Sequence, residues 1–106
     1  ILFRLLFMTD NDKKILTEYF KENKIDFELI NVNDNDNKIT LNGFLVDSPF
    51  TKSNKLFLFF IDNKPYIKVF TNSDYETCFN DKNRDEHEYK DISVLIYCLN
   101  KYYRII

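Results

Sequence analysis

Apolar positions along this chain come in short runs separated by stretches rich in Asn and Asp, and their spacing predicts strands alternating with helices. Residues 1–8, Ile1-Leu2-Phe3-Arg4-Leu5-Leu6-Phe7-Met8, are apolar almost throughout. That suits a strand covered on both faces of a sheet. Without a basic leader or a small-residue cleavage site, it reads as a strand and not as a signal segment. Ile15, Leu16, Tyr19 and Phe20 then form one apolar stripe, backed by Lys14, Glu18, Lys21 and Glu22. This is an amphipathic helix, capped by Thr9 or Asp10, with Asp12 near its positive end and Asn23-Lys24 closing it. A second strand opens at Ile25-Asp26-Phe27-Glu28. A helix between two strands of one sheet implies a parallel pair joined by a right-handed crossover.

Residues 31–37 read as a loop by composition. Over 38–54, Ile39, Leu41, Phe44, Leu45 and Val46 fit either a short helix or an irregular strand, broken by Gly43 and closed by Ser48-Pro49. Leu56 to Ile61 and Tyr66 to Phe70, around Asp62-Asn63-Lys64-Pro65, form a clear antiparallel hairpin signal. Pro65 takes the permitted first position of its strand. A short helical piece holds Tyr75, Cys78 and Phe79, and Asn80 to Tyr89 reads as a polar loop or helix edge. Asp91 then caps a final helix with Ile92, Leu95, Ile96, Leu99, Tyr102 and Tyr103 on one face.

Composition narrows the classes. The 106 residues are 44% hydrophobic and 30% charged with a net charge of −2, which fits one globular domain, 1–106. No basic block points to nucleic acid, and no apolar run reaches the ~20 residues that span a bilayer. Cys78 and Cys98 form no CxxC and have no histidine at metal-ligand spacing, so they read as free thiols in a reducing, cytoplasmic compartment. With one glycine and two prolines in the chain, turns fall to Asn and Asp.

The strand–helix–strand unit resembles the first β-α-β unit of glutaredoxins. Laid back from Phe27, the family's CxxC falls on Asp10-Asn11-Asp12-Lys13, where there is no thiol. Phe59-Phe60-Ile61-Asp62-Asn63-Lys64 is similar to the glutaredoxin Val-Phe-Ile-x-Gly-Lys hairpin. Phe57 takes the place of the family's cis-proline, and Ile67-Lys68 that of its Gly-Gly pair. The chain is closer in pattern to the redox-inactive SH3-domain-binding glutamic-acid-rich-like proteins. Phe20 to Glu28 and Asp74 to Phe79 resemble two blocks of that family, with 38–54 unmatched. The resemblance implies a thioredoxin-like (glutaredoxin-type) fold, β-α-β then β-β-α, with a mixed four-stranded sheet flanked by helices. It does not bring SH3 binding with it, since neither Pro49 nor Pro65 lies in a PxxP.

Candidate chemistry is sparse. Asp34-Asn35-Asp36-Asn37 lacks the glycine and glutamate of a calcium loop and reads as a solvated turn. His87, the sole histidine, sits among Arg84, Asp85, Glu86 and Glu88 and reads as exposed. Phe50, Tyr66 and Tyr102 or Tyr103 are candidates for an exposed aromatic patch. The expectation is a redox-inert, glutaredoxin-like protein-binding module without cofactor or metal. Its interaction surface is placed at Asp10, Asn11, Asp12, Lys13, Leu56 and Phe57. Its partner is a protein, with no nucleic acid, membrane or glutathione, and the chain itself is a monomer or weak dimer. Two alternatives stay open: a thiol-disulfide oxidoreductase using Cys78 alone, and a structural protein that oligomerises through the aromatic hairpin edge.

Overall fold

A computed structural model of the chain describes residues 8–83 and 85–105, so the strand expected over 1–8 lies, but for Met8, outside the described residues. The elements run α1 (Asp10–Glu22), β1 (Phe27–Asp34), β2 (Ile39–Asp47), β3 (Lys55–Ile61), β4 (Lys64–Phe70), α2 (Tyr75–Asn80), β5 (Glu86–Glu88) and α3 (Ile92–Tyr102). The five strands form one sheet in sequence order, β1-β2-β3-β4-β5, and every pair among them is antiparallel.

This corrects the thioredoxin-like, glutaredoxin-type expectation of a mixed four-stranded sheet. The strand after α1 does not return parallel to an earlier one within the described residues. It folds straight back as a hairpin, Phe27 opposite Val46 and Asp34 opposite Ile39. The segment 38–54 supplies β2, a full interior strand paired to β1 and β3. Two effects hid it from a reading of periodicity. Phe44, Leu45 and Val46 are all buried, because both faces of β2 are covered there, so alternation vanishes. Gly43, read as a break, is a strand residue pressed close to its neighbours: a Cβ there would lie 2.3 Å from the Leu58 carbonyl oxygen.

The predicted β3–β4 hairpin forms as read. Asp62 and Asn63 both take positive φ (53° and 67°), the two-residue turn that matches strand twist. Elsewhere the left-handed positions fall on Lys24, Lys38 and Arg104, not only on Asn and Asp. At the end of α1, Lys24 takes φ 56° and the Ile25 amide donates to the Phe20 carbonyl at 2.8 Å, closing the helix without glycine. Thr9 caps α1 by accepting from the Asp12 amide, Asp74 caps α2, and Asp91 caps α3.

Alternation along β3 divides the core. Leu56, Leu58 and Phe60 face one side, packing with Leu16 and Phe20 of α1 and Leu95 and Leu99 of α3. Phe57 and Phe59 face the other, packing with Val32, Leu41, Phe70 and, from α2, Cys78 and Phe79. On that second face the rings form a continuous stack: Tyr75 on Phe70, Phe70 on Phe57, Phe57 on Phe59 and Phe59 on Tyr66, with centroids 5.2–5.5 Å apart. Phe79 meets Phe57 and Phe59 edge-on. Six of the chain's 18 aromatic residues (11 Phe, 7 Tyr) meet here, and each such pair adds ~0.5–1.5 kcal/mol beyond area burial.

Candidate functional site

The expected interaction residues are dispersed. Asp10, Asn11 and Lys13 are exposed in the first turn of α1, and Asp12 donates its amide to the Thr9 cap. Leu56 and Phe57 are buried and point to opposite faces of the central strand, so they form no common surface with that turn. The positions equated with the glutaredoxin CxxC, cis-proline and glycine pair likewise fail to converge, since Ile67 and Lys68 also point to opposite faces. Cys78 is buried at 3% exposure with its thiol near the Asn72 side-chain oxygen, whereas Cys98 packs on the other face of the sheet. The two sulfurs therefore have the sheet between them, and Cys78 offers no access for thiol exchange. Both strands of the aromatic hairpin are flanked, β3 by β2 and β4 by β5, so neither presents an open edge. Among the described residues no three His, Cys, Asp or Glu side chains converge as metal ligands, and no helix is long and apolar enough to cross a membrane.

Two of the concave regions among the described residues combine apolar walls with a distinctive side chain, Phe50 in one and Lys68 in the other. The first is a cleft of about 430 Å³ on the α1/α3 face, between the loop after β2, the end of α3 and strands β4 and β5. Leu56, Ile67 and Val69 form its floor, and Tyr89, Tyr102 and His87 its walls. Ser48 shapes the loop by accepting from the Phe50 and Thr51 amides. That turn holds the Phe50 ring edge-on against Tyr102, 5.3 Å between centroids, while leaving Phe50 67% exposed. Tyr89 and Tyr102 share a hydroxyl hydrogen bond of 3.2 Å behind it. Burial, and secondarily this bond, push the Tyr89 phenol well above its ordinary range.

Beside the cleft runs β5. Ladder geometry orients its backbone: the Val69 amide donates to the Asp85 carbonyl and the Tyr89 amide to the Pro65 carbonyl. Antiparallel strands alternate inward- and outward-facing amides. The backbone groups of Glu86 and Glu88 therefore point away from β4, along the edge of the sheet. Pro65, which has no N–H, sits where β5 ends and only an acceptor is needed.

The second region is a cavity of about 290 Å³ on the aromatic face, walled by Phe59, Tyr66, Phe79, Lys68, Glu86 and the β1–β2 turn. Asp34 and Lys68, the two buried polar or charged side chains among the described residues, both line it. Asp34 is consumed by the turn, accepting from the amides of Asp36 and Asn37 and from the Asn37 side chain. Asn80 of α2 clamps that turn, donating to the Asn33 carbonyl and accepting from the Asn35 amide, both at 2.8 Å. Lys68 is different: its ammonium lies 4.8 Å from the Phe79 ring centroid and 3.7 Å from a Glu86 oxygen, too far for a hydrogen bond. Sequence reasoning passed over Lys68, although a signal was present. It is the lone charge in Tyr66-Ile67-Lys68-Val69-Phe70, and period two places it on the face of Tyr66 and Phe70.

Comparison of the chain with family profiles, with curated proteins and with solved structures finds no match.

Proposed function

We propose that this chain is a non-catalytic protein-binding module that takes an extended segment of its partner along the β5 edge and seats an apolar side chain in the cleft behind Phe50. The observation that carries this reading is the exposure of Phe50 at the mouth of an apolar cleft that opens beside an outward-facing strand. A large aromatic held in place by its own loop, yet left in water, is the kind of anchor protein interfaces use. Outward amides and carbonyls at Glu86 and Glu88 offer main-chain pairing. Glu88 and Glu86 pair with Lys64 and Lys68, at 3.1 and 3.7 Å, and Asp85 adds a further carboxylate, so the edge leans acidic and favours a basic strand over a second copy of itself. The alternative based on Cys78 is left without support, because its thiol is enclosed by the core.

The test is capture of partners from lysate by the wild type, by Phe50→Asp and by Leu29→Asp, which places the same charge at an exposed leucine on β1. A protein held by the wild type and by Leu29→Asp but lost from Phe50→Asp, and competed off by a basic peptide from its own sequence, supports the reading. Equal capture by all three, or none, removes the cleft as the site. Light scattering that shows a dimer dissolved by Phe50→Asp replaces the foreign partner with a second copy.

A further inference from the structure

Lysine is among the residues least often enclosed by a protein, and an enclosed ammonium ordinarily spends its hydrogens on acceptors. Lys68 is 8% exposed and makes no hydrogen bond among the described residues, yet no side-chain nitrogen or oxygen there is buried without a partner, so its ammonium keeps an opening to the cavity. Its contacts are the face of Phe79 and the loose ion pair with Glu86. On the far wall of the cavity in front of it, Lys82 and Asp36 also stand 3.7 Å apart, but as an exposed pair at its rim. Two ion pairs longer than a hydrogen bond thus border one cavity, the Lys68 ammonium nearly enclosed and the Lys82–Asp36 pair in water. The lining carries three carboxylates (Asp34, Asp36, Glu86) against two ammonium groups (Lys68, Lys82), a balance of −1 that disfavours a multiply charged anion. At about 290 Å³ the space lies at the small end of ligand pockets, too little for a nucleotide or a folded segment.

We infer that this cavity binds a small zwitterion of the free amino-acid type. Its carboxylate accepts from the Lys68 ammonium, its ammonium donates to Glu86 or Asp36, and its side chain lies along Tyr66. The carboxylate contact supplies the close acceptor that the Lys68 ammonium lacks within the protein. The strand–strand ladder and α2 hold the site in place before a ligand arrives. The site lies on the opposite face of the sheet from the Phe50 cleft and shares only Glu86 with the proposed partner surface, so Phe50→Asp and Lys68→Met test the two separately.

The experiment is a ¹H–¹⁵N NMR titration of the whole chain with the free amino acids at millimolar concentration, with acetate, ethylammonium, inorganic phosphate and glycerol as controls. Saturable shifts at the Lys68, Phe79, Glu86 and Asn37 amides with one or a few amino acids, and none with the controls, are expected. Lys68→Met, which keeps the buried stem, is expected to abolish them while leaving the remaining spectrum in place. Should Lys68→Met fail to fold, Glu86→Gln serves: it lies on the exposed edge and is expected to weaken binding about tenfold or more, the loss for one charge-assisted hydrogen bond. Shifts equally strong with acetate or phosphate would make this an anion site and overturn the inference. Glycerol shifting the same amides, unchanged affinity in both variants, or no shift with any amino acid would overturn it as well.

Discussion

Gly43 and Phe57 touch across the β2–β3 ladder: a Cβ built on the glycine would lie 2.6 Å from Cε1 of the phenylalanine ring. The ring has no room to retreat, since Phe59 and Phe70 stack on it at 5.3 Å on either side and Phe79 meets it edge-on. The sheet thus carries its chain of stacked rings at the expense of a side chain on the neighbouring strand. Gly43→Ala is expected to destabilise the fold by about 3 kcal/mol or more, above the ordinary overpacking cost, because backbone as well as ring must shift. Urea denaturation checks this. A loss below about 1 kcal/mol would mean that the stack yields easily.

Asn80 joins two parts of the chain that share no strand pairing. Its side chain bonds the Asn33 carbonyl, the Asn35 amide and the Glu76 carbonyl, each at 2.8 Å, tying the end of α2 to the β1–β2 turn. Asn80→Ala is expected to cost about 1–3 kcal/mol, the range for leaving such groups without partners. Because the damage is local, hydrogen exchange at the Asn35 amide is expected to accelerate more than exchange in β3. Uniform acceleration would instead show that the turn and the core open together.

The two thiols sit on opposite faces and differ in access, Cys78 buried and Cys98 half-buried. With a disulfide reagent such as Ellman's, native protein is expected to show Cys98 reacting first and Cys78 reacting only as the fold opens. Cys98→Ser is expected to remove the faster phase and Cys78→Ser the slower. Rapid modification of Cys78 in folded Cys98→Ser would reopen the thiol chemistry that its burial argues against.

Local pattern and turn chemistry decide the hairpin from Leu56 to Phe70 and the helices holding Leu16 and Leu95, so these were legible in the sequence. The topology was not. It hinges on whether Phe27–Asp34 pairs with a segment before α1 or with the next strand along the chain, and amino-acid spacing is silent on pairing partners. β2 stayed open between short helix and irregular strand because a strand covered on both faces shows no alternation, and because Gly43, which looks like punctuation, is required by the Phe57 ring. Of the cleft, Phe50, Leu56 and Tyr102 were candidates for a binding surface in the sequence, and His87 read only as an exposed histidine. Their meeting with β5 depends on a three-residue strand, Glu86–Glu88, whose charged sequence carries no strand signature.

Alkaline pH gives a final handle on the α1/α3 face. Burial raises the phenols of Tyr89 and Tyr103 above their ordinary value, aided by the Tyr102 bond for the first and by the Asp47 carboxylate for the second. Tyr103 also donates its hydroxyl to the Asp47 carbonyl, pinning the end of α3 to the end of β2. In the unfolded chain these phenols release protons near pH 10, while in the folded chain they keep them. Their contribution to stability is therefore whole below about pH 10 and drains away as pH rises above it. Lys55 and Lys64, raised by their bonds to Asp47 and Glu88, act in the same direction but weakly, being exposed. Tyrosinate absorbance followed with circular dichroism is expected to show some of the seven tyrosines titrating freely and the rest appearing only in a cooperative step, together with loss of secondary structure. Tyr103→Phe, which cannot ionise, is expected to shallow the fall of stability with pH in that window while lowering stability at neutral pH by about 1 kcal/mol for the lost hydrogen bond. If all the tyrosines titrate together with the dichroism unchanged, then the α3–β2 contact is open to solvent and does not hold the helix end in place.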